Sequence, residues 1–168
     1  MNYRRIFVEN SLLFLTLVTN DRKNLLIDNI EFLKQALYNV KKIYCFEVIA
    51  YIIMHNHIHC IIEPENILEY PKIIKSFKYA FTKNVGLVKP TYKGTKVWQN
   101  RYWEHTIRNE QDLYKHIDYI HYNSMKHCNI APKDWEFSSF QKYVENNMYE
   151  ENWCNFEDKN KINQLDFE

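Results

Sequence analysis

Apolar residues gather along this chain in two rhythms. Residues 11–19 (Ser-Leu-Leu-Phe-Leu-Thr-Leu-Val-Thr) form a short, nearly continuous apolar run rich in strand formers, which reads as a buried strand. The period then changes. Ile30, Leu33, Leu37 and Val40 fall on one stripe of a helix over about residues 29–42, with Asp28 placed to cap it. Residues 45–54 give a second strand and residues 57–63 a third, ended by Pro64. In the third strand His57, His59 and Ile61 share one face, while Ile58, Cys60 and Ile62 take the other.

The second half repeats the scheme. Pro71 suits the first turn of a helix, and Ile73, Ile74, Phe77, Ala80 and Phe81 make its apolar stripe. Residues 84–96 hold both glycines, Gly86 and Gly94, together with Pro90, and read as a loop. Val97 to Ile107 is extended and aromatic. Asn109 can cap a helix over about 110–127, whose Leu113, Ile117 and Ile120 define the buried stripe. Trp135, Phe137, Phe140 and Tyr143 mark a last segment that packs back on the body. The order strand, helix, strand, strand, helix, strand is that of an α+β, ferredoxin-like (RRM-like) fold: an antiparallel sheet with helices packed on one face. Residues 1–154 are expected to form one domain, and 155–168 an acidic, flexible tail.

Composition narrows the chemistry. With 168 residues, 46% hydrophobic and 26% charged, the chain is suited to a folded soluble domain. Two glycines leave almost no room for a Gly-rich phosphate loop. Cys45, Cys60, Cys128 and Cys154 show no CxxC spacing. Neither a signal peptide nor a membrane-length apolar run is visible, so the cytoplasm is the expected location and no membrane partner is expected. Net charge is only +1, but it is unevenly spread. Residues 70–108 carry nine Lys and Arg against Glu104 alone, and residues 144–168 carry seven acids against Lys159 and Lys161. A basic middle suggests a polyanion-binding face, although a solvated surface gives the same count.

Two constellations carry candidate chemistry. On a strand, His57 and His59 face one way, with Cα atoms roughly 6 to 7 Å apart, so both imidazoles can converge on one ion. A pair of surface histidines would share the pattern. On the helix near residue 119, Tyr119 and Asn123 lie one turn apart on a common face away from the Leu113–Ile117–Ile120 stripe, with His116, Lys126 and His127 along the same row. A divalent metal can polarise a phosphodiester, and a tyrosine can attack it and conserve the bond as phosphotyrosine. Two imidazoles leave coordination positions open for that phosphate, which a closed four-ligand site would not.

Several segments, in order, carry a family resemblance. They are Tyr3-Arg4-Arg5, Met54-His55-Asn56-His57-Ile58-His59, Val97 through His105, Ile107-Arg108-Asn109-Glu110, His116 through Asn123, and Asp134 through Phe140. Together they resemble the REP-associated tyrosine transposases, a branch of the HUH single-tyrosine transposases, over about residues 3–154. The resemblance implies the HUH endonuclease fold and a metal-dependent single-stranded DNA endonuclease and strand transferase with a 5′-phosphotyrosine intermediate. It implies Tyr119 as nucleophile, with Tyr122 as the rival. His57, His59 and Asn123 become ligands of Mg²⁺ or Mn²⁺. The partner it implies is single-stranded DNA with hairpin (REP-like) elements, contacted by Tyr3, Arg4 and Arg5. Lys75, Lys78, Lys83 and Arg101 fit phosphate contacts, and Trp98 and Trp103 are candidates for base stacking or for core packing. The protein is expected as a monomer or a homodimer.

The chain departs from the family pattern at His55, Ser124 and Cys128, where the family has Pro, Pro and Gly. The alternative is a domesticated hairpin-binding protein that no longer cuts. A third reading is a metal hydrolase in which water replaces the tyrosine.

Overall fold

The computed structural model describes residues 7–88 and 96–154. Tyr3, Arg4, Arg5 and the 155–168 tail lie outside the described residues. The elements are β1 (Leu13–Val18), α1 (Ile30–Lys41), β2 (Phe46–Ile53), β3 (His57–Pro64), α2 (Tyr70–Val88), β4 (Trp103–Thr106), α3 (Glu110–Cys128) and α4 (Phe140–Glu145). The four strands form one antiparallel sheet in the order β2-β3-β1-β4, the ferredoxin-like arrangement expected from the element order.

The register sorts the side chains into two faces. Leu13, Leu15 and Leu17 pair with Ile62, Cys60 and Ile58, and all six join Leu33, Ala36 and Val40 of α1 and Ile73, Ile74, Phe81 and Val85 of α2 in the larger core. Thus α1 and α2 pack on one face. Phe14 and Thr16 point the other way, beside Ile61 and His59. There α3 lies over the sheet, and Phe14, Ala50, Ile52 and Ile61 pack against Ile117, Tyr119 and Ile120.

Several boundaries differ from those the pattern predicts. Asn29 rather than Asp28 occupies the N-cap of α1, because a 3₁₀ turn over Ile27–Asn29 delays the helix by one residue. Helix α2 runs on to Val88, into the 84–96 stretch expected to be loop, with Val85 fully buried as an anchor; residues 89–95 lie outside the described residues. Only Trp103–Thr106 of the extended aromatic segment is strand; Trp98 makes an isolated bridge to Thr19. The cap on α3 is as expected: the Asn109 side chain accepts from the Asp112 N–H at 2.9 Å.

The segment after α3 covers the β2 edge. Ile53 N–H donates to the Phe137 carbonyl at 2.8 Å, and Ser139 N–H to the Tyr51 carbonyl at 2.9 Å. Trp135 Nε1 donates to the Ile53 carbonyl and Tyr143 Oη to the Ile49 carbonyl. An open edge is thereby paired and α3 is held down from its outer side.

Candidate active site

One row of the sheet builds the floor of the site. Ile52, His59, Thr16 and Trp103 are successive partners across β2, β3, β1 and β4, and all face α3. His59 is fully buried, and its Nδ1 lies 2.8 Å from Thr16 Oγ1. That contact turns Nε2 away from the strand. The His57 and His59 rings sit 4.9 Å apart at 73°, so the alternation of β3 brings them together as expected.

Helix α3 supplies the roof. The Tyr119 ring is 5.2 Å from the His59 ring, and Asn123 Oδ1 is 3.4 Å from His57 Nε2. His127, one turn beyond Asn123, brings its ring to 5.0 Å from His57. Lys126 Nζ stands 5.2 Å from the Tyr119 ring centre. The structure therefore gathers His57, His59, Tyr119 and Asn123 in one place. Tyr122 packs elsewhere, with Met125 and Cys154.

One expectation about the helix is corrected. Tyr119 and Asn123 do not lie on a face apart from the buried stripe: Tyr119 is 1% exposed and Asn123 fully buried. Both face the sheet, Tyr119 against Phe14 and His59 and Asn123 against His57, so the polar face of α3 is buried along with its apolar stripe. The sequence pattern of one helix does not reveal which polar side chains the sheet offers it.

Hydrogen bonding tests whether this donor set suits a cation. Asn56 Nδ2 donates to the Arg22 carbonyl, which turns Asn56 Oδ1 towards His57 Nδ1 at 2.7 Å. That oxygen can only accept, so Nδ1 carries the proton, and a neutral His57 ring presents a lone pair at Nε2. Asn123 is oriented in the same way: its Nδ2 donates to the Tyr119 carbonyl at 2.7 Å, leaving Oδ1 facing His57. Two lone pairs thus meet across 3.4 Å, an arrangement that a cation between them relieves. Burial, then the neighbouring His57, His127 and Lys126, holds His59 well below the ordinary histidine value, against the hydrogen bond to Asn123. Neutral imidazoles are what metal ligation requires. The residues fit a divalent metal held by His57, His59 and Asn123.

The basic residues are placed differently. Lys75, Lys83 and Arg101 are exposed, along α2 and the segment before β4. Lys78 is half-buried, with Nζ donating to the Gln99 carbonyl at 2.6 Å; burial, then Lys96, lowers its pKa. Lys72, Lys75 and Lys78 line a groove of about 380 Å³ with Asn100 and Tyr102. These lysines lie along the helix that packs on the far side of the sheet from α3. Of the two tryptophans, Trp98 is core, 5.4 Å from Phe81, whereas Trp103 is 54% exposed in the His59 row.

The next row holds a cluster that sequence reasoning did not single out. His105, beside Phe14, pairs with Asp112 at the start of α3, and Asp112 with His116. Two more polar contacts lie on the outer side of α3: the buried pair His121 Nε2 with Ser139 Oγ at 2.8 Å, and, half-buried, Tyr149 Oη donating to Asp118. Burial pushes His121 down to about 3, so it is neutral and serves to fix α3 against the β2 edge.

Comparison with known proteins identifies the family and the fold. A sequence profile described as "Transposase IS200 like" covers residues 8–123, from just before β1 to Asn123. This chain belongs to the IS200-like transposase family. Within that family it is 34% identical to the REP-associated tyrosine transposase of Escherichia coli K12, over 90% of each chain. It is 38% identical to a provisionally named REP-associated tyrosine transposase of Haemophilus influenzae, covering 90% of this chain and 92% of the relative. A solved structure of a REP-associated tyrosine transposase bound to a REP hairpin superposes with a TM-score of 0.82, at 33% identity and 92% coverage of both chains. The IS200-like assignment and the antiparallel α+β fold thus agree. Among the described residues no helix is long and apolar enough to cross a membrane.

Proposed function

We propose that this IS200-like transposase cuts and rejoins single-stranded DNA at hairpin-flanked sites, with Tyr119 as nucleophile. The observation that carries the reading is the placement of the Tyr119 ring 5.2 Å from His59 of the same chain, where His57 and Asn123 also converge. The hairpin partner is supported by the solved relative bound to a REP hairpin.

His57, His59 and Asn123 would hold a divalent metal, Mg²⁺ or Mn²⁺, which when bound polarises the scissile phosphate. Thr16 fixes the His59 ring and Asn56 the His57 ring, so both are oriented before any ion arrives. Tyr119 Oη bonds to phosphorus as the bond from phosphorus to the 3′ oxygen breaks. The phenolic proton leaves by way of solvent, and the 3′ oxygen takes one up. The 5′ phosphate stays on Tyr119, and attack by another 3′ hydroxyl reverses the step and rejoins the strand. Lys126 places a cation over the tyrosine ring, where the phosphate must arrive. Because Tyr119 is 1% exposed, the side chains covering it move aside when a strand binds. Trp103 offers an exposed ring on which an unpaired base can stack on the way to His59. Lys75, Lys78, Lys83 and Arg101 remain candidates for phosphates of the hairpin stem, away from the cut, and Tyr3, Arg4 and Arg5 for its base.

The burial of Tyr119 favours one rival: a hairpin-binding protein that does not cut. Incubation with labelled single-stranded hairpin oligonucleotides and Mn²⁺, followed by a denaturing protein gel, separates the two. Label at the protein's mass that vanishes in Tyr119→Phe supports transfer. Tight hairpin binding with no labelled protein would establish the rival.

A further inference from the structure

We propose that His105, Asp112 and His116 form a second metal site, for a zinc-class dication, separate from the His57–His59–Asn123 centre. His105 Nε2 lies 2.9 Å from Asp112 Oδ2, and His116 Nδ1 lies 3.2 Å from Asp112 Oδ1. One ligand atom from each of the three residues falls within 4.8 Å of the others. Metal–nitrogen and metal–oxygen bonds of about 2.0 to 2.2 Å put neighbouring ligand atoms ~3 Å apart, so an ion fits after small shifts.

The three groups come from two elements held in fixed relation. His105 sits on β4 in register with Phe14, and Asp112 and His116 are one turn apart at the start of α3. Asp112 Oδ2 also accepts from the Arg108 N–H at 3.0 Å, which orients the carboxylate. The His105 and His116 rings stack 4.7 Å apart at 15°, so both present nitrogens to the same carboxylate. His116 Nδ1 is shared with the Asp112 carbonyl at 2.8 Å, and an ion would displace that proton. Burial pushes Asp112 up, but the His105 and Arg108 hydrogen bonds outweigh it and keep the carboxylate charged. Access is open, since His105 lines a cavity of about 720 Å³ together with Glu104, Arg108 and Ser11.

Two imidazoles and one carboxylate favour Zn²⁺ or Co²⁺ over Mg²⁺. The Phe14 ring stands between this cluster and the first centre, 4.7 Å from His116 and 5.6 Å from His59. The ion would therefore not share a phosphate with the first metal; it would pin the start of α3 to the edge strand β4.

The test is metal stoichiometry in the tag-free, chelator-stripped full chain, by calorimetric titration with Zn²⁺ and Co²⁺. The double variant His57→Ala/His59→Ala is expected to keep one ion per chain. Adding His105→Gln or, separately, Asp112→Asn to it is expected to weaken that ion by more than about 100-fold. Millimolar Mg²⁺ is expected not to compete. His105→Gln changes only a half-buried side chain on an edge strand, so it reads out even if Asp112→Asn fails to fold. Loss of all binding in the double variant would overturn the proposal. So would an ion that survives His105→Gln with its affinity unchanged.

Discussion

The two faces of this sheet are built to opposite rules. The face under α1 and α2 is closed with leucine, isoleucine and valine. Its buried thiol, Cys60, is pushed up to about 12 by burial alone and is inert. The face under α3 encloses His59, His116, Asn123 and Tyr119, and His121 is buried on the outer side of the same helix, all 1% exposed or less. Burying polar groups costs free energy unless each is partnered. On the α3 face the partners are supplied by Thr16, Asp112, Ser139 and the Tyr119 carbonyl. One face supplies stability, and the other spends part of it on holding rings in fixed orientations. The histidine and tyrosine chemistry sits entirely on the second.

The contrast breaks most sharply at Tyr119. Tyr119→Phe is expected to keep the fold and reduce covalent DNA transfer below about one thousandth; a gel showing undiminished adduct would remove Tyr119 from the reaction. His59→Ala, or chelation of the wild-type chain, should lower cleavage more than about 100-fold while hairpin binding in a shift assay persists. Equal cleavage with and without chelator would rule out the metal role.

The other face should respond in the opposite sense. Phe81→Ala, at a fully buried position against Trp98, is expected to cost about 3 to 5 kcal/mol of stability in urea unfolding. At low temperature the folded variant should still form the adduct; a folded variant without adduct would mean that the faces are not separable.

Acid should strain only the α3 face. The folded chain holds His59, His116 and His121 below the ordinary histidine value, chiefly by burial, so on acidification the unfolded chain takes up protons first. Their stabilisation is intact above pH ~6.5 and declines as pH falls, by up to about 1.4 kcal/mol per pH unit for each ring, continuing to about pH 3 for His121. A metal-free urea midpoint that is unchanged between pH 7 and pH 5 would contradict this. The smallest effect is at the rim: Trp103→Ala should weaken single-strand binding by about 1 to 3 kcal/mol and leave stability unchanged. Wild-type affinity in that variant would assign the exposed ring no part in binding.

Much of this was legible in the residues. Strand alternation put His57 and His59 on one face because that period is a property of the backbone. Asn109 marked the start of α3 because an asparagine side chain can satisfy an open helix N–H. Helical spacing paired Tyr119 with Asn123. What stayed hidden depends on distant chain. The burial of Tyr119 comes from Phe14 and His59 on the sheet, outside any helical window around residue 119. The His105–Asp112 contact joins a strand to a helix. Its signal was present, since Asp112 and His116 are four apart beside a histidine-bearing aromatic strand, but no local period links His105 to them. Helix α2 outran its expected end because Val85 finds a buried seat, which overrides the punctuation of Gly86.

The pairing of residues 137–139 with β2 also sets a schedule for synthesis. Tyr51 and Ser139 are 88 residues apart. At roughly 5 to 20 residues per second, the bare β2 edge waits about 4 to 18 seconds for its cover on the ribosome. Over that interval the nascent chain exposes a strand edge able to recruit a neighbour on the same polysome, so slowing translation between codons 54 and 137 should lower the yield of soluble protein without altering its sequence.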